Sequence, residues 1–117
     1  HDIDVVTHVR AMGTQLRAGL DRIAAESTIV GQVRGEGLMF GVELVADPAT
    51  KAAFDPARKV GAAFDAQALA NGLIIRAMGD TIGLCPPLII KADEIDEMLD
   101  LFARTLKAVE GNLLHRT

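Results

Sequence analysis

The stretch Leu73-Ile74-Ile75-Arg76-Ala77-Met78-Gly79-Asp80-Thr81-Ile82-Gly83-Leu84 decides the fold of this chain, because it sets two short apolar runs on either side of a Gly-Asp pair. Runs of that kind read as a β-hairpin with glycine at the first central position of the turn. Strand side chains alternate between faces, so Leu73, Ile75 and Ala77 point one way while Ile74, Arg76 and Met78 point the other. The turn also sets a register, pairing Met78 with Thr81, Ala77 with Ile82, Arg76 with Gly83 and Ile75 with Leu84. Ile82 and Leu84 then join the core face, and a lone guanidinium stands opposite a residue without a side chain, with room to swing. A planar fork that grips a carboxylate in one pose and withdraws in another suits a site handling both acidic and neutral ligands. The same pattern also fits a solvated arginine on the open face of a half-exposed sheet.

Upstream, Val5, Val9, Met12, Leu16, Leu20 and Ile23 recur at steps of three and four and predict an amphipathic first helix. Strands are expected over 31–35 and 38–45, joined at Gly35-Glu36-Gly37. In the second run Leu38, Phe40, Val42 and Leu44 share the core face, and Gly41 inside the strand reads as close packing. Asp55-Pro56 offers an N-cap and a first-turn proline for a second helix striped by Val60, Ala63, Phe64 and Ala68, which Asn71-Gly72 ends. Downstream, Pro86-Pro87 holds the chain extended before a final helix with Ile95, Met98, Leu99, Phe102, Leu106 and Val109 on its apolar side. Acids crowd the start of that helix and Arg104 and Lys107 lie late, as the helix dipole favours. No internal repeat is apparent. The order α-β-β-α-β-β-α predicts one α+β domain, two layers deep, with a mainly antiparallel sheet.

At 117 residues the chain can bury a real core, but its only aromatics are four Phe, so that core is aliphatic and alanine-rich. A formal charge of -4 without a basic run argues against a nucleic-acid surface. One cysteine, Cys85, forms no internal disulfide and fits the reducing cytoplasm; with no histidine placed to activate it, it reads as a packing residue. No apolar run is long enough to cross a bilayer, and no partner membrane is expected. The histidines His1, His8 and His115 lie near the termini, away from cysteines or carboxylates at metal-ligand spacing, so no metal site is expected. The glycines between Gly31 and Gly41 precede no helix that could receive a phosphate. Asp80 reads as a residue that shapes its turn. No complete catalytic apparatus is present, and the abrupt opening suggests a piece of something longer.

Two blocks carry a family resemblance. Val33-Arg34-Gly35-Glu36-Gly37-Leu38-Met39-Phe40-Gly41-Val42-Glu43-Leu44 resembles a small-domain segment of class III aminotransferases. Gly72 to Asp80, Pro86-Pro87-Leu88-Ile89-Ile90 and Glu94-Ile95-Asp96-Glu97-Met98 resemble the carboxyl end of the amine:pyruvate, or omega-transaminase, branch. The resemblance implies the C-terminal small domain of a fold-type-I enzyme using pyridoxal 5'-phosphate, a large domain of the same polypeptide holding that cofactor, and a homodimer. It implies that Arg76 matches the mobile arginine that binds the carboxylate of an α-keto acid acceptor such as pyruvate and moves aside for an amine donor. In the ornithine-type branch an arginine commonly stands where this chain has Gly83, which favours the amine:pyruvate branch. Lys91 departs from the family, where a Thr or Ser helix cap is common. The Schiff-base lysine, the stacking aromatic and the aspartate at the pyridine nitrogen belong to the large domain, so Lys51, Lys59, Lys91 and Lys107 are expected at the surface and the segment alone is expected inactive. Two other readings remain at this level: a stand-alone small-molecule-binding or regulatory module, and an amino-acid aminotransferase or aminomutase of the same family.

Overall fold

The computed structural model describes residues 4–73, 75–87 and 89–114, and within them three helices lie against a four-stranded sheet. The elements are α1 (Val5–Glu26), β1 (Val30–Glu36), β2 (Met39–Leu44), α2 (Val60–Ala70), β3 (Arg76–Met78), β4 (Thr81–Leu84) and α3 (Ala92–Leu114). All pairings are antiparallel and the strand order is β1-β2-β4-β3. This is an α+β two-layer domain in the expected element order.

Alternation builds the core face. Phe40, Val42, Leu44, Ile82 and Leu84 are all buried, while Met39 and Met78 stand on the open side at 68% and 60% exposure. Against the covered face α3 presents Ile95, Leu99, Phe102, Leu106 and Val109, and α1 presents Leu16 and Leu20. The Phe64 and Phe102 rings, centroids 5.1 Å apart and tilted by 50°, join α2 to α3. Burying either ring contributes about 1.5–3 kcal/mol.

Polar joints fix the helices at their ends. Asp4 caps α1 by accepting from the Thr7 amide at 3.2 Å and the Thr7 hydroxyl at 2.9 Å. Glu110 of α3 accepts from the Ser27 hydroxyl at 2.6 Å and the Thr28 amide at 2.9 Å, tying down the α1–β1 connection. Asn71 donates to Thr105 Oγ1 at 3.1 Å across α2 and α3.

Several local expectations are corrected. Val5 belongs to the periodic stripe but is 50% exposed, so the stripe buries only from Val9 onward. Leu38 is buried in the turn and not in a strand, and Val45 is buried on leaving β2. Asp55-Pro56 opens a 3-10 turn over Pro56–Arg58, and α2 starts only after Lys59, which is left-handed at φ 49°. Its buried stripe uses Gly61 in place of Ala63. The missing cap at Lys91 is half replaced, because the Lys91 amide donates to Glu94 Oε1 at 2.9 Å. Of the final hairpin, β3 is three residues long and its ladder ends at Arg76–Gly83, short of the expected Ile75–Leu84 pair. Ile74, Leu88, His1 and His115 lie outside the described residues.

Candidate functional site

The open face of the sheet, bare of helices, carries the candidate site. The expected hairpin register is present, with Arg76 opposite Gly83, Ala77 opposite Ile82 and Met78 opposite Thr81. Gly79 has φ 60° and Asp80 does not share the positive φ, as a turn with glycine at its first central position requires. Arg76 is exposed on edge strand β3, and among the described residues it makes no ion pair: the two pairs there are Arg17–Asp21 and Arg104–Asp100, both along helices. The space over Gly83 is shared, because the Met78 methyl lies 3.9 Å from where a Gly83 Cβ would stand and Arg76 Cβ lies 3.8 Å from it. A thioether chain is easily displaced, so the guanidinium still has a path across β4.

The ladder places a second arginine on the same row. Arg34 pairs with Gly41, Gly41 with Gly83, and Gly83 with Arg76, so one line across all four strands reads Arg-Gly-Gly-Arg. The two hairpins repeat one pattern: Arg34, Gly37 and Gly41 correspond to Arg76, Gly79 and Gly83 at equal spacings, related by an approximate two-fold through the Gly41–Gly83 pair. Sequence reading passed over this Arg-x-x-Gly-x-x-x-Gly repeat because the intervening residues differ, and only strand pairing brings the halves side by side. Gly41 is not crowded: an added Cβ would meet Thr81 Cγ2 at 3.7 Å and Arg34 Nε at 4.0 Å, both ordinary contacts, so close packing is not its reason.

Among the described residues the remaining titratable groups do not build a reaction centre. Lys51, Lys59, Lys91 and Lys107 are exposed, and Lys51 Nζ donates to the Gly31 carbonyl at 2.6 Å. Cys85 is exposed and not packed as expected. His8 Nε2 lies 2.7 Å from the Ile90 carbonyl oxygen. No three or more His, Cys, Asp or Glu side chains gather as metal ligands among the described residues, and none of the described helices is long and apolar enough to cross a membrane. An open depression of about 690 Å³ lies beside the hairpin tip, lined by Glu43, Lys51, Phe54, Lys59, Asp65 and Asp80 among others, but Arg76 does not line it.

Comparison with known proteins fits this architecture. The family model described as Aminotransferase class-III matches residues 1–106. The chain belongs to the class III aminotransferases. It is 39% identical over 113 residues to the uncharacterized aminotransferase y4uB of Sinorhizobium fredii, covering 95% of this chain and 24% of that protein. To the diaminobutyrate–2-oxoglutarate transaminase of Halomonas elongata it is 43% identical over 99 residues, covering 83% of this chain and 20% of the relative. Among solved structures it superimposes on an omega-aminotransferase from Paracoccus denitrificans with a TM-score of 0.87 at 34% identity, covering 92% of this chain and 24% of the other. A PMP-bound aminotransferase from Vibrio fluvialis gives 0.85 at 33% identity, again covering 92% and 24%. The chain thus spans about a quarter of the length of these aminotransferases.

Proposed function

We propose that this chain is the C-terminal small domain of a pyridoxal-phosphate-dependent transaminase that moves an amino group from an amine to an α-keto acid such as pyruvate, with Arg76 as the residue that grips the acceptor's carboxylate. One observation carries the reading: Arg76 is an exposed guanidinium on the open sheet face, set opposite a glycine and without an ion pair among the described residues. A bidentate fork there holds a carboxylate, and the cleared row over Gly83 lets it step aside for an amine.

The lysines of this segment do not suit a Schiff-base role, which needs an amine desolvated or crowded by charge, whereas all four are exposed. In this reading the cofactor is held by a large domain of the same polypeptide, where it would supply an electron sink for the amino-group carbon. What this segment adds is orientation of the acceptor, an effect on binding and positioning. The parent enzyme is read as a cytoplasmic homodimer, and the isolated segment as inactive.

In the full-length enzyme, Arg76→Ala is expected to raise KM for pyruvate about 10- to 100-fold, the loss of a charge-assisted hydrogen-bonded pair. The half-reaction with an uncharged amine is expected to keep its rate. Equal losses in both half-reactions would remove the carboxylate-grip assignment. The similarity to a diaminobutyrate transaminase favours a second reading, in which the donor is an amino acid. Single-turnover rates with an amino acid and with a carboxylate-free amine separate the two.

A further inference from the structure

Asp80 does more than shape its turn. Its Oδ1 accepts a hydrogen bond from the Gly61 amide at 2.9 Å, and its carbonyl oxygen accepts one from the Leu44 amide at 2.8 Å. The tip of the Arg76 hairpin is therefore tied to the start of α2 on one side and to the end of β2 on the other.

Helix α2 has no cap of its own. Lys59, at the cap position, is left-handed and makes no capping bond through its side chain. The first amides of a helix need acceptors from elsewhere, and a carboxylate is favoured there by the helix dipole. Asp80 supplies that acceptor from a distance of nineteen residues along the chain. Gly61 makes the approach possible, since a Cβ at that position would run into the Gly79 carbonyl oxygen.

The joint acts on an edge strand held from its core side by Ala77 and the neighbouring Ile75. Strand β3 is three residues long, lies at the sheet edge and pairs only with β4. Arg76 is its first residue and Asp80 lies just past its end. The two poses proposed for the guanidinium are side-chain rotations, and they deliver the fork to reproducible places only if the backbone beneath stays fixed.

We propose that Asp80 is a positioning residue for Arg76, holding the edge hairpin against the N-terminus of α2 so that the arginine meets the acceptor carboxylate in register. The proposal rests on the carboxylate-grip reading of Arg76. Its signature is selective: the keto-acid half-reaction depends on the joint, and the half-reaction with an uncharged amine does not.

The test uses the full-length enzyme and measures both half-reactions with pyruvate and a carboxylate-free amine. Asp80→Ala is expected to raise KM for pyruvate about tenfold while leaving the amine half-reaction within about twofold, since small misplacements of a positioning group are felt mainly where it acts. Asp80→Asn keeps an oxygen acceptor and is expected to recover most of the loss. Gly61→Ala pushes on the same joint from the helix side and is expected to share the keto-acid-selective defect. Equal losses in both half-reactions, no loss, or an Asn variant as impaired as the Ala variant would overturn the proposal. Failure of both Asp80→Ala and Gly61→Ala to fold would assign the joint to stability alone and overturn it as well. Arg76→Ala run alongside separates the two ideas: if it spares pyruvate, the grip reading fails; if it impairs pyruvate use and Asp80→Ala does not, only the positioning role fails.

Discussion

The two hairpins of this domain share a plan and differ in how their turns are anchored. In each, a glycine of positive φ starts the turn, Gly37 at 59° and Gly79 at 60°, and in each a glycine on a helix, Gly13 or Gly61, sits so close to that turn that a Cβ would strike its carbonyl oxygen. The second turn residue is Leu38 in one and Asp80 in the other. Leu38 is 3% exposed and anchors its hairpin through the apolar core, whereas Asp80 anchors its own through a hydrogen bond to the start of a helix. The first anchor is non-directional and sums over many contacts. The second is directional and rests on two hydrogen bonds at Asp80, from the Gly61 and Leu44 amides, so a local change can loosen it without unfolding the domain.

Exchanging the anchors tests that contrast most severely. In the full-length protein Leu38→Asp is expected to cost several kcal/mol, because a carboxylate would be buried without a partner. Asp80→Leu removes one cap and is expected to cost about 1 kcal/mol. Chemical denaturation reads both, and similar losses would mean that the two turns are anchored alike. Gly13→Ala comes next, with an expected loss of about 1–3 kcal/mol, since the added methyl meets backbone that cannot turn aside.

The arginines sharpen the comparison at the level of function. Arg34 occupies in the first hairpin the place of Arg76 in the second, but it sits on the opposite edge strand, with its Nε near Gly41. Arg34→Ala in the full-length enzyme is expected to change KM for pyruvate by less than about threefold, against the 10- to 100-fold expected at Arg76, a difference that follows if only one arginine meets the carboxylate. Equal effects would make the row a symmetric pair.

The smallest expected effect concerns helix caps. Hydrogen bonds from the Thr7 amide, and then from the Thr7 hydroxyl, hold the Asp4 carboxyl below its ordinary value of 3.8. A lowered folded pKa stabilises above the unfolded value, so this contribution is complete above pH 3.8 and is lost as pH falls through the lowered value. Because Asp4 is fully exposed, the effect is local fraying of α1, visible as a shift of the Thr7 amide resonance on acidification. A Thr7 resonance that titrates at or above 3.8 would contradict the cap.

Much of this was legible from residue order. The Gly79-Asp80 turn fixes its register through local backbone chemistry, so the pairing of Arg76 with Gly83 could be read before any tertiary contact was known. The apolar side of α3 was equally plain, because six residues at helical spacing leave one solution. What escaped was set by partners distant in sequence. The start of α2 is delayed past Asp55-Pro56 because its cap arrives from Asp80, and no local pattern announces a cap from nineteen residues away. The reason for Gly61 is also non-local, since it lies in the turn beside it, whose backbone leaves no room for a side chain. The line from Arg34 to Arg76 likewise exists only through strand pairing.

Cys85 gains a use from its place. It is the only sulfhydryl in these 117 residues, and it is exposed one residue past β4, two beyond the glycine that faces Arg76. Were the alternation of β4 to continue by one residue, this sulfur would share the side of Gly83, and its rate of alkylation is then expected to fall whenever that side of the sheet is covered.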